Sequence, residues 1–174
     1  MKIYLFSGYA GAGKSFCRDY FVETMISTGR SCYTDSFAKD LKHIAKAVYG
    51  WDGLKDDKGR KLLQNIGRTG REYDIDMWVR KVSDRYYNLD TIPLAIDDWR
   101  YPNERSYLED RGFEVITIRV HRPSLELTRR LYADVSETSL LEWSTDKFYD
   151  IHIENVGTLS DLKEQVYKRI ILGG

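Results

Sequence analysis

Residues 8–15, GYAGAGKS, decide the fold of this chain, because they fit the pattern Gly-x4-Gly-Lys-Ser. The short apolar run at residues 3–7 predicts a strand before this stretch, and a helical pattern follows from Lys14 to about Thr28. Between a strand and a helix, such glycines let backbone N–H groups turn around an anionic phosphate. The Lys14 ammonium can reach the phosphates, and the Ser15 hydroxyl can bind Mg²⁺. The stretch therefore predicts a phosphate-binding loop (P-loop), since a plain glycine-rich turn would not explain Lys14 and Ser15.

The composition is typical of a globular chain. Of 174 residues, 42% are hydrophobic and 31% are charged, so we expect one domain with a buried core. Lys plus Arg and Asp plus Glu both number 27, which gives a formal net charge of zero. A neutral chain argues against nucleic acid as the main partner, although a local basic pocket stays possible.

Cysteine content and hydropathy indicate the compartment. The two cysteines, Cys17 and Cys32, suggest neither a disulfide framework nor a cysteine metal site. No run approaches the ~20 apolar residues of a membrane span, and the first apolar run is too short for a signal peptide. We therefore predict a cytoplasmic protein that does not bind a membrane.

Apolar runs that predict strands alternate with patterns that predict helices. Strands are predicted at residues 31–36, 91–97, 113–120 and 149–153. Helices are predicted at residues 37–49, 58–66, 75–87, 102–111, 123–132 and from Thr158 or Ser160 onward. This alternation predicts an α/β fold with a mainly parallel sheet in a three-layer α/β/α arrangement. The mostly helical insertion at about 37–88 is expected to cap the strand ends.

Residues 67–72, GRTGRE, stand between two of the predicted helices. Two glycines and two arginines in a connection suggest a site for an anion rather than core packing. The sequence therefore predicts an anion-binding loop that contains Arg68 and Arg71.

Acidic residues follow the strand predicted at 91–97, where ligands of parallel sheets bind. Asp97 and Asp98 stand in the position of a carboxylate that orients Mg²⁺ or accepts a bond from a substrate hydroxyl. The alternative is that both only cap the turn, and the sequence leaves open which of the two acts. Arg100 can bind a phosphate through two parallel N–H groups. Glu104 fits a ligand-binding turn and an ordinary first turn of a helix equally well.

Short segments with recognisable patterns stand in a fixed order along the chain. They are FAKDLK at 37–42, LLQNIG at 62–67, GR at 70–71, DIDMW at 74–78, DWRYPNE at 98–104, SETSL at 136–140 and IENVGT at 153–158. Together they resemble the phage-type deoxynucleoside monophosphate kinases. The likeness covers nearly the whole chain and makes a phage or a bacterium a plausible source.

This resemblance implies transfer of a phosphoryl group from ATP, with Mg²⁺, to a deoxynucleoside 5′-monophosphate. It implies one P-loop kinase domain over residues 1–174, an acceptor-side insertion at about 37–88, a lid at about 122–147, and a homodimer. The donor-side residues that it implies are Gly11, Ala12, Gly13, Lys14, Ser15, Phe16, Asn155, Gly157 and Thr158. The acceptor-side residues are Lys42, Arg68, Arg71, Trp78, Asp98 and Arg100. The catalytic residues are Lys14, Asp98, Arg100 and Arg130, and the metal-binding residues are Ser15 and Asp98.

The lid and the tryptophans leave alternatives open. Arg129 and Arg130 are adjacent on a predicted helix and point about 100° apart, so at most one is expected to face the site. A lid arginine would close over the transferred group and exclude water. Trp78 is the best candidate for a wall of the acceptor pocket, although core packing is the commoner use of tryptophan.

Two other functions fit the same motifs. A kinase of the dephospho-coenzyme A type would phosphorylate a hydroxyl group, and Asp98 could serve as its base. A switch module would hydrolyse a nucleotide without any acceptor, but the chain has no Asn-Lys-x-Asp motif of guanine-specific GTPases. The turn at 98–104 and the segment at 62–78 favour a monophosphate as the acceptor.

Overall fold

The computed structural model describes residues 1–89, 91–125, 140 and 148–173. Within these residues, parallel strands form one five-stranded sheet in the order β2-β3-β1-β4-β5. The strands are β1 Lys2–Ser7, β2 Tyr33–Asp35, β3 Leu94–Ile96, β4 Glu114–His121 and β5 Ile151–Glu154. The predicted α/β fold with a mainly parallel sheet is confirmed.

Helices flank this sheet. They are α1 Lys14–Ser27, α2 Lys39–Tyr49, α3 Asp57–Tyr73, α4 Met77–Tyr86, α5 Pro102–Asp110 and α6 Leu159–Val166, which continues into a π-helical turn at Tyr167–Ile171. No helix in the described part of the chain is both long enough and apolar enough to cross a membrane.

The central strand β1 separates two hydrophobic cores. Its Ile3 and Leu5 side chains join one cluster with residues of α4 and α5, while Phe6 joins another with residues of α1 and α6. Alternate residues of a strand point to opposite faces of the sheet, so β1 anchors both helical layers. This packing gives the predicted three layers.

The register of the strands brings the candidate site together. Leu5 of β1 pairs with Ile96 of β3, and Ile96 also pairs with Asp35 of β2. The residues that follow these strands therefore meet at the carboxyl edge of the sheet, where ligands bind in such folds. This edge gathers the P-loop, Asp97 and Asp98.

The predicted loop at residues 67–72 is wrong, because α3 is one continuous helix from Asp57 to Tyr73. Gly70 faces the Trp78 ring, and a Cβ atom at this position would lie 2.7 Å from Trp78 Cε2. The Trp78 indole N–H donates a hydrogen bond to the Gly67 carbonyl at 3.0 Å. Gly70 thus leaves room for the Trp78 ring, and neither glycine breaks the helix.

Other boundaries differ less. The strand predicted at 91–97 is confined to Leu94–Ile96, and the Pro93 carbonyl before it accepts a hydrogen bond from the Tyr33 N–H at 2.8 Å. Most of the predicted helix at 123–132 and of the lid at 122–147, including Arg129 and Arg130, lies outside the described residues.

Candidate active site

The P-loop connects β1 directly to α1. Gly11 and Gly13 have φ angles of 85° and 105°, values that side chains with a Cβ atom rarely adopt. Gly13 is the N-cap of α1, which has no side-chain cap and no acidic residue in its first turn. The positive end of this helix is therefore open to an anion.

The Lys14 ammonium lies inside this loop. It donates hydrogen bonds to the Gly8 carbonyl at 2.6 Å and to the Tyr9 carbonyl at 2.9 Å. The glycine conformations, the helix start and the lysine together form a cradle with the charge that a polyphosphate requires.

Asp97 contacts the P-loop directly. The Ser15 hydroxyl donates a hydrogen bond to Asp97 Oδ2 at 2.5 Å, and Arg18 forms an ion pair with Asp97 Oδ1 at 2.7 Å. A hydroxyl and a carboxylate in contact are hard oxygen ligands, which suit Mg²⁺. These donors fit the ion that the motif implies, and the described residues contain no group of three or more His, Cys, Asp or Glu residues that could hold a metal elsewhere.

Asp98 faces a different element. Its Oδ1 accepts a hydrogen bond from the Phe37 N–H at 3.0 Å, and its Oδ2 accepts one from the Ser36 hydroxyl at 2.7 Å and one from the Ala38 N–H at 3.0 Å. Asp98 therefore fastens the turn between β2 and α2 to the end of β3. Of the two aspartates, Asp97 and not Asp98 contacts the Ser15 hydroxyl.

A cavity of 390 Å³ opens beside the P-loop, at Ala10. Five of the six predicted acceptor-side residues line it, namely Lys42, Arg71, Trp78, Asp98 and Arg100. The Arg71 guanidinium lies 4.1 Å from the centre of the Tyr101 ring, which also lines the cavity. The cavity thus combines cationic groups with aromatic rings.

Arg68 is not brought into this cavity. Its side chain is 67% exposed, and it contacts Asn65 and Glu72 of the same helix. Arg71, one turn further along α3, lines the cavity instead.

Glu104 is buried in the cavity wall. Its Oε2 accepts hydrogen bonds from the Arg100 N–H at 2.9 Å and the Tyr101 N–H at 3.0 Å, so it holds the turn that carries Arg100. Burial raises the pKa of Glu104 to about 8, Asp98 adds to this rise, and the two N–H donors oppose it. Glu104 therefore lines the cavity and also caps the first turn of α5 through the Tyr101 N–H, so both sequence-based interpretations describe its position.

The segment after β5 contacts the P-loop through Asn155. The Asn155 amide donates a hydrogen bond to the Ala12 carbonyl at 2.9 Å. Thr158 caps α6 by exchanging hydrogen bonds with Asp161, next to the exposed Gly157. Phe16 is partly buried against the core that contains α1. The structure thus brings Asn155 to the P-loop, whereas Phe16 packs against the core and Thr158 caps α6.

Several residues at the site were missed from the sequence. Arg18 holds Asp97, and the cavity is also lined by Lys55, Arg60, Gln64 and Tyr101. Arg60, Gln64 and Arg71 recur at helical spacing, so a continuous helix at 57–73 would have predicted that they share a face. No sequence pattern identifies Arg18.

Solved structures share this fold along nearly the whole chain. The dephospho-CoA kinase from Campylobacter jejuni has a TM-score of 0.54 and 20% identity, covering 98% of this chain and 96% of that chain. An APS kinase from Mycobacterium tuberculosis, in complex with AMPPNP and APS, has a TM-score of 0.53 and 15% identity, covering 98% of this chain and 96% of that chain. The shikimate kinase from Aquifex aeolicus has a TM-score of 0.52 and 14% identity, covering 100% of both chains.

These likenesses establish that the chain has the fold of P-loop small-molecule kinases. No protein-family model and no curated protein sequence matches it. At such low identities the shared property is the fold, and the activity has to be argued from the site.

Proposed function

We propose that this protein transfers a phosphoryl group from ATP to a deoxynucleoside 5′-monophosphate and forms the diphosphate. The observation that carries this proposal is the 390 Å³ cavity beside the P-loop, where Arg71 and Arg100 stand with the rings of Trp78 and Tyr101. Arginines match phosphate oxygens, and aromatic surfaces match a flat base. The cavity is thus complementary to both ends of a nucleotide.

The donor side is the P-loop. Gly11, Gly13 and Lys14 would hold the phosphates of ATP, and Ser15 with Asp97 would hold Mg²⁺. When bound, Mg²⁺ supplies charge neutralisation at the phosphate oxygens. Asn155 contributes by fixing the Ala12 carbonyl, which limits movement of the loop.

The acceptor side aligns the second substrate. Arg71 and Arg100 would bind the monophosphate and offset the repulsion between two anionic reactants, while Lys42 lies on the rim of the same cavity. Phosphoryl transfer depends mainly on such alignment and on spread positive charge.

The carboxylates favour a phosphate acceptor over a hydroxyl acceptor. Both oxygens of Asp98 accept hydrogen bonds from the turn before α2, and Asp97 is held by Ser15 and Arg18. A hydroxyl acceptor needs a general base, whereas a phosphate oxygen is already anionic at neutral pH. A site whose aspartates serve as anchors therefore suits a monophosphate.

A hydroxyl-phosphorylating kinase is the second candidate. Asp98 does line the cavity, and the fold is shared with the dephospho-CoA kinase from Campylobacter jejuni. Under this alternative, Asp98 would accept the hydroxyl proton of a substrate in the cavity.

A coupled assay of ADP release with Mg·ATP tests these candidates. The chain would be assayed without acceptor, with each deoxy- and ribonucleoside monophosphate, and with dephospho-coenzyme A. We expect ADP release only with one or a few deoxynucleoside monophosphates. Release with dephospho-coenzyme A alone would support the second candidate, and equal release without any acceptor would indicate a nucleotide-hydrolysing switch instead.

A further inference from the structure

One face of α2 is basic. Lys39, Lys42, His43 and Lys46 follow the spacing i, i+3, i+4, i+7, which places them along a single stripe of the helix. Like charges at this spacing repel each other and weaken a helix. The stripe is therefore not explained by the stability of α2.

This stripe faces a groove of 490 Å³. The residues 34–36 at the carboxyl end of β2 form its floor, and Arg18 of α1 lies on its other side. The groove is distinct from the acceptor cavity, because His43 and Lys46 line the groove and not the cavity. Lys42 lines both.

Arg18 pairs with Asp97 and Asp19, but the charge of the α2 stripe is not fully neutralised by the lining of the groove. Asp35 is the acidic residue of its lining, and it is buried in an ion pair with Arg85 at 2.8 Å. Lys39 reaches Asp35 at 3.6 Å. Within the described part of the chain, neither Lys42 nor Lys46 makes an ion pair or a side-chain hydrogen bond. Because the whole chain has zero net charge, this concentration of cations is local.

The length of the stripe indicates the size of its ligand. Lys39 and Lys46 are seven positions apart on the helix, which corresponds to roughly 10 Å along its axis. One phosphate cannot span that distance, but several linked phosphates can contact the stripe and Arg18 together. Lysine and arginine side chains are only donors and therefore bind such acceptor-rich anions.

We propose that this groove binds a compact polyphosphate, either as an inorganic chain or as the triphosphate of a nucleotide other than the donor. Arg18 connects the groove to the P-loop, because it also pairs with Asp97, the carboxylate that contacts Ser15. A ligand on Arg18 would share this guanidinium with Asp97 and so influence the donor site.

Isothermal titration tests the proposal with inorganic tripolyphosphate as the probe. The full chain would be saturated with a non-hydrolysable ATP analogue and excess Mg²⁺, so that the P-loop is filled, at low salt to limit screening. The test variant is His43→Gln with Lys46→Gln. The matched control is Lys61→Gln with Lys81→Gln, two exposed lysines on α3 and α4 outside the groove.

We expect one tripolyphosphate per chain, with affinity about tenfold weaker in the test variant and unchanged in the control, as loss of charge-assisted contacts predicts. Deoxynucleoside triphosphates would then replace tripolyphosphate in the titration. If they bind more tightly, the groove recognises a base as well, and its ligand is a nucleotide rather than an inorganic chain.

Three results would overturn the proposal. They are tripolyphosphate binding that disappears when the ATP analogue fills the P-loop, equal affinity in the test variant and the wild type, and tighter binding of a single-stranded oligonucleotide that the same variant loses. The last result would assign the groove to a nucleic-acid backbone. Because this titration involves no phosphoryl transfer, its outcome is independent of the proposed function.

Discussion

The P-loop wall of the site is built from the consecutive residues 8–15. The acceptor wall, formed by Arg71, Trp78, Arg100 and Tyr101, is assembled from side chains that lie on different elements of the chain. Backbone geometry at Gly11 and Gly13 and the start of α1 shape the P-loop. The acceptor wall depends on contacts between elements, such as Arg71 of α3 on the Tyr101 ring. A substitution in the P-loop should therefore affect chemistry alone, while one in the acceptor wall can affect folding, binding or both.

The largest effect is expected in the P-loop with Lys14→Ala. The ammonium lies in the phosphate cradle, where it donates hydrogen bonds to the Gly8 and Tyr9 carbonyls of the P-loop itself. We expect the rate of transfer to fall roughly 10²–10³-fold with little change in thermal stability. Steady-state kinetics and a thermal melt measure both, with Lys81→Ala as the exposed control. Loss of folding in the Lys14 variant would break the distinction between the two walls.

The pair of aspartates sharpens the same comparison. Asp97 contacts Ser15, and Asp98 contacts the turn before α2. We expect Asp97→Asn to raise the Mg²⁺ concentration for half-maximal activity roughly tenfold, and Asp98→Asn to leave it unchanged while lowering the melting temperature. Magnesium titrations of both variants decide the point. A higher Mg²⁺ requirement in the Asp98 variant would return the metal role to Asp98.

On the acceptor wall, Arg71→Ala and Arg68→Ala form a matched pair on one helix. Arg71 lines the cavity and Arg68 is exposed. We expect the acceptor KM to rise roughly tenfold to hundredfold for Arg71→Ala, the range for a lost hydrogen bond to a charged group. The ATP KM should not change, and Arg68→Ala should behave as wild type. An unchanged acceptor KM for Arg71→Ala would remove it from the site.

Gly70→Ala tests whether the acceptor wall depends on packing. The added methyl group would meet the buried Trp78 ring, so we expect a loss of about 1–3 kcal/mol in the free energy of unfolding. Thr69→Ala, at the exposed neighbouring position, should keep or slightly raise stability, because alanine is a better helix former. Urea unfolding compares them. Equal stability would mean that residues 67–72 behave as the loop that the sequence predicted.

The last prediction concerns Glu104 and pH. Its pKa is raised from 4.5 to about 8, so the folded state retains a proton that the unfolded state has lost between these values. Stability from this group is therefore present at low pH and declines as pH rises through that window, at up to about 1.4 kcal/mol per pH unit. Glu104→Gln keeps an oxygen for both N–H donors and should remove this slope in urea unfolding. A difference between variant and wild type that is constant with pH would refute it.

Local patterns explain what could be predicted from the sequence. The P-loop needs only residues 8–15 and their neighbouring elements, so its position and its lysine were predicted correctly. The α/β fold with a mainly parallel sheet follows from apolar runs that alternate with helices. Arg71, Trp78 and Arg100 were predicted at the acceptor side and do line one cavity.

Long-range contacts explain what could not be predicted. Gly67 and Gly70 resemble loop residues until Trp78 is placed with its ring against Gly70 and its indole N–H on the Gly67 carbonyl. Asp97 and Asp98 are adjacent, and only the end of β3 relative to the P-loop decides which one meets Ser15. The burial of Glu104 likewise depends on the turn at Arg100 and Tyr101.

Phosphorus NMR of the product tests the central claim, that the acceptor is a phosphate group, most directly. The chain would be incubated with Mg·ATP and the deoxynucleoside monophosphate that supports ADP release. Besides the coupled pair of signals from ADP, we expect the monoester signal of the acceptor to be replaced by a second coupled pair, the α- and β-phosphates of a deoxynucleoside diphosphate. If the acceptor's monoester signal persisted, a second uncoupled monoester signal beside ADP would show that a hydroxyl was phosphorylated, and inorganic phosphate beside ADP would show hydrolysis. Either result would contradict a phosphate acceptor.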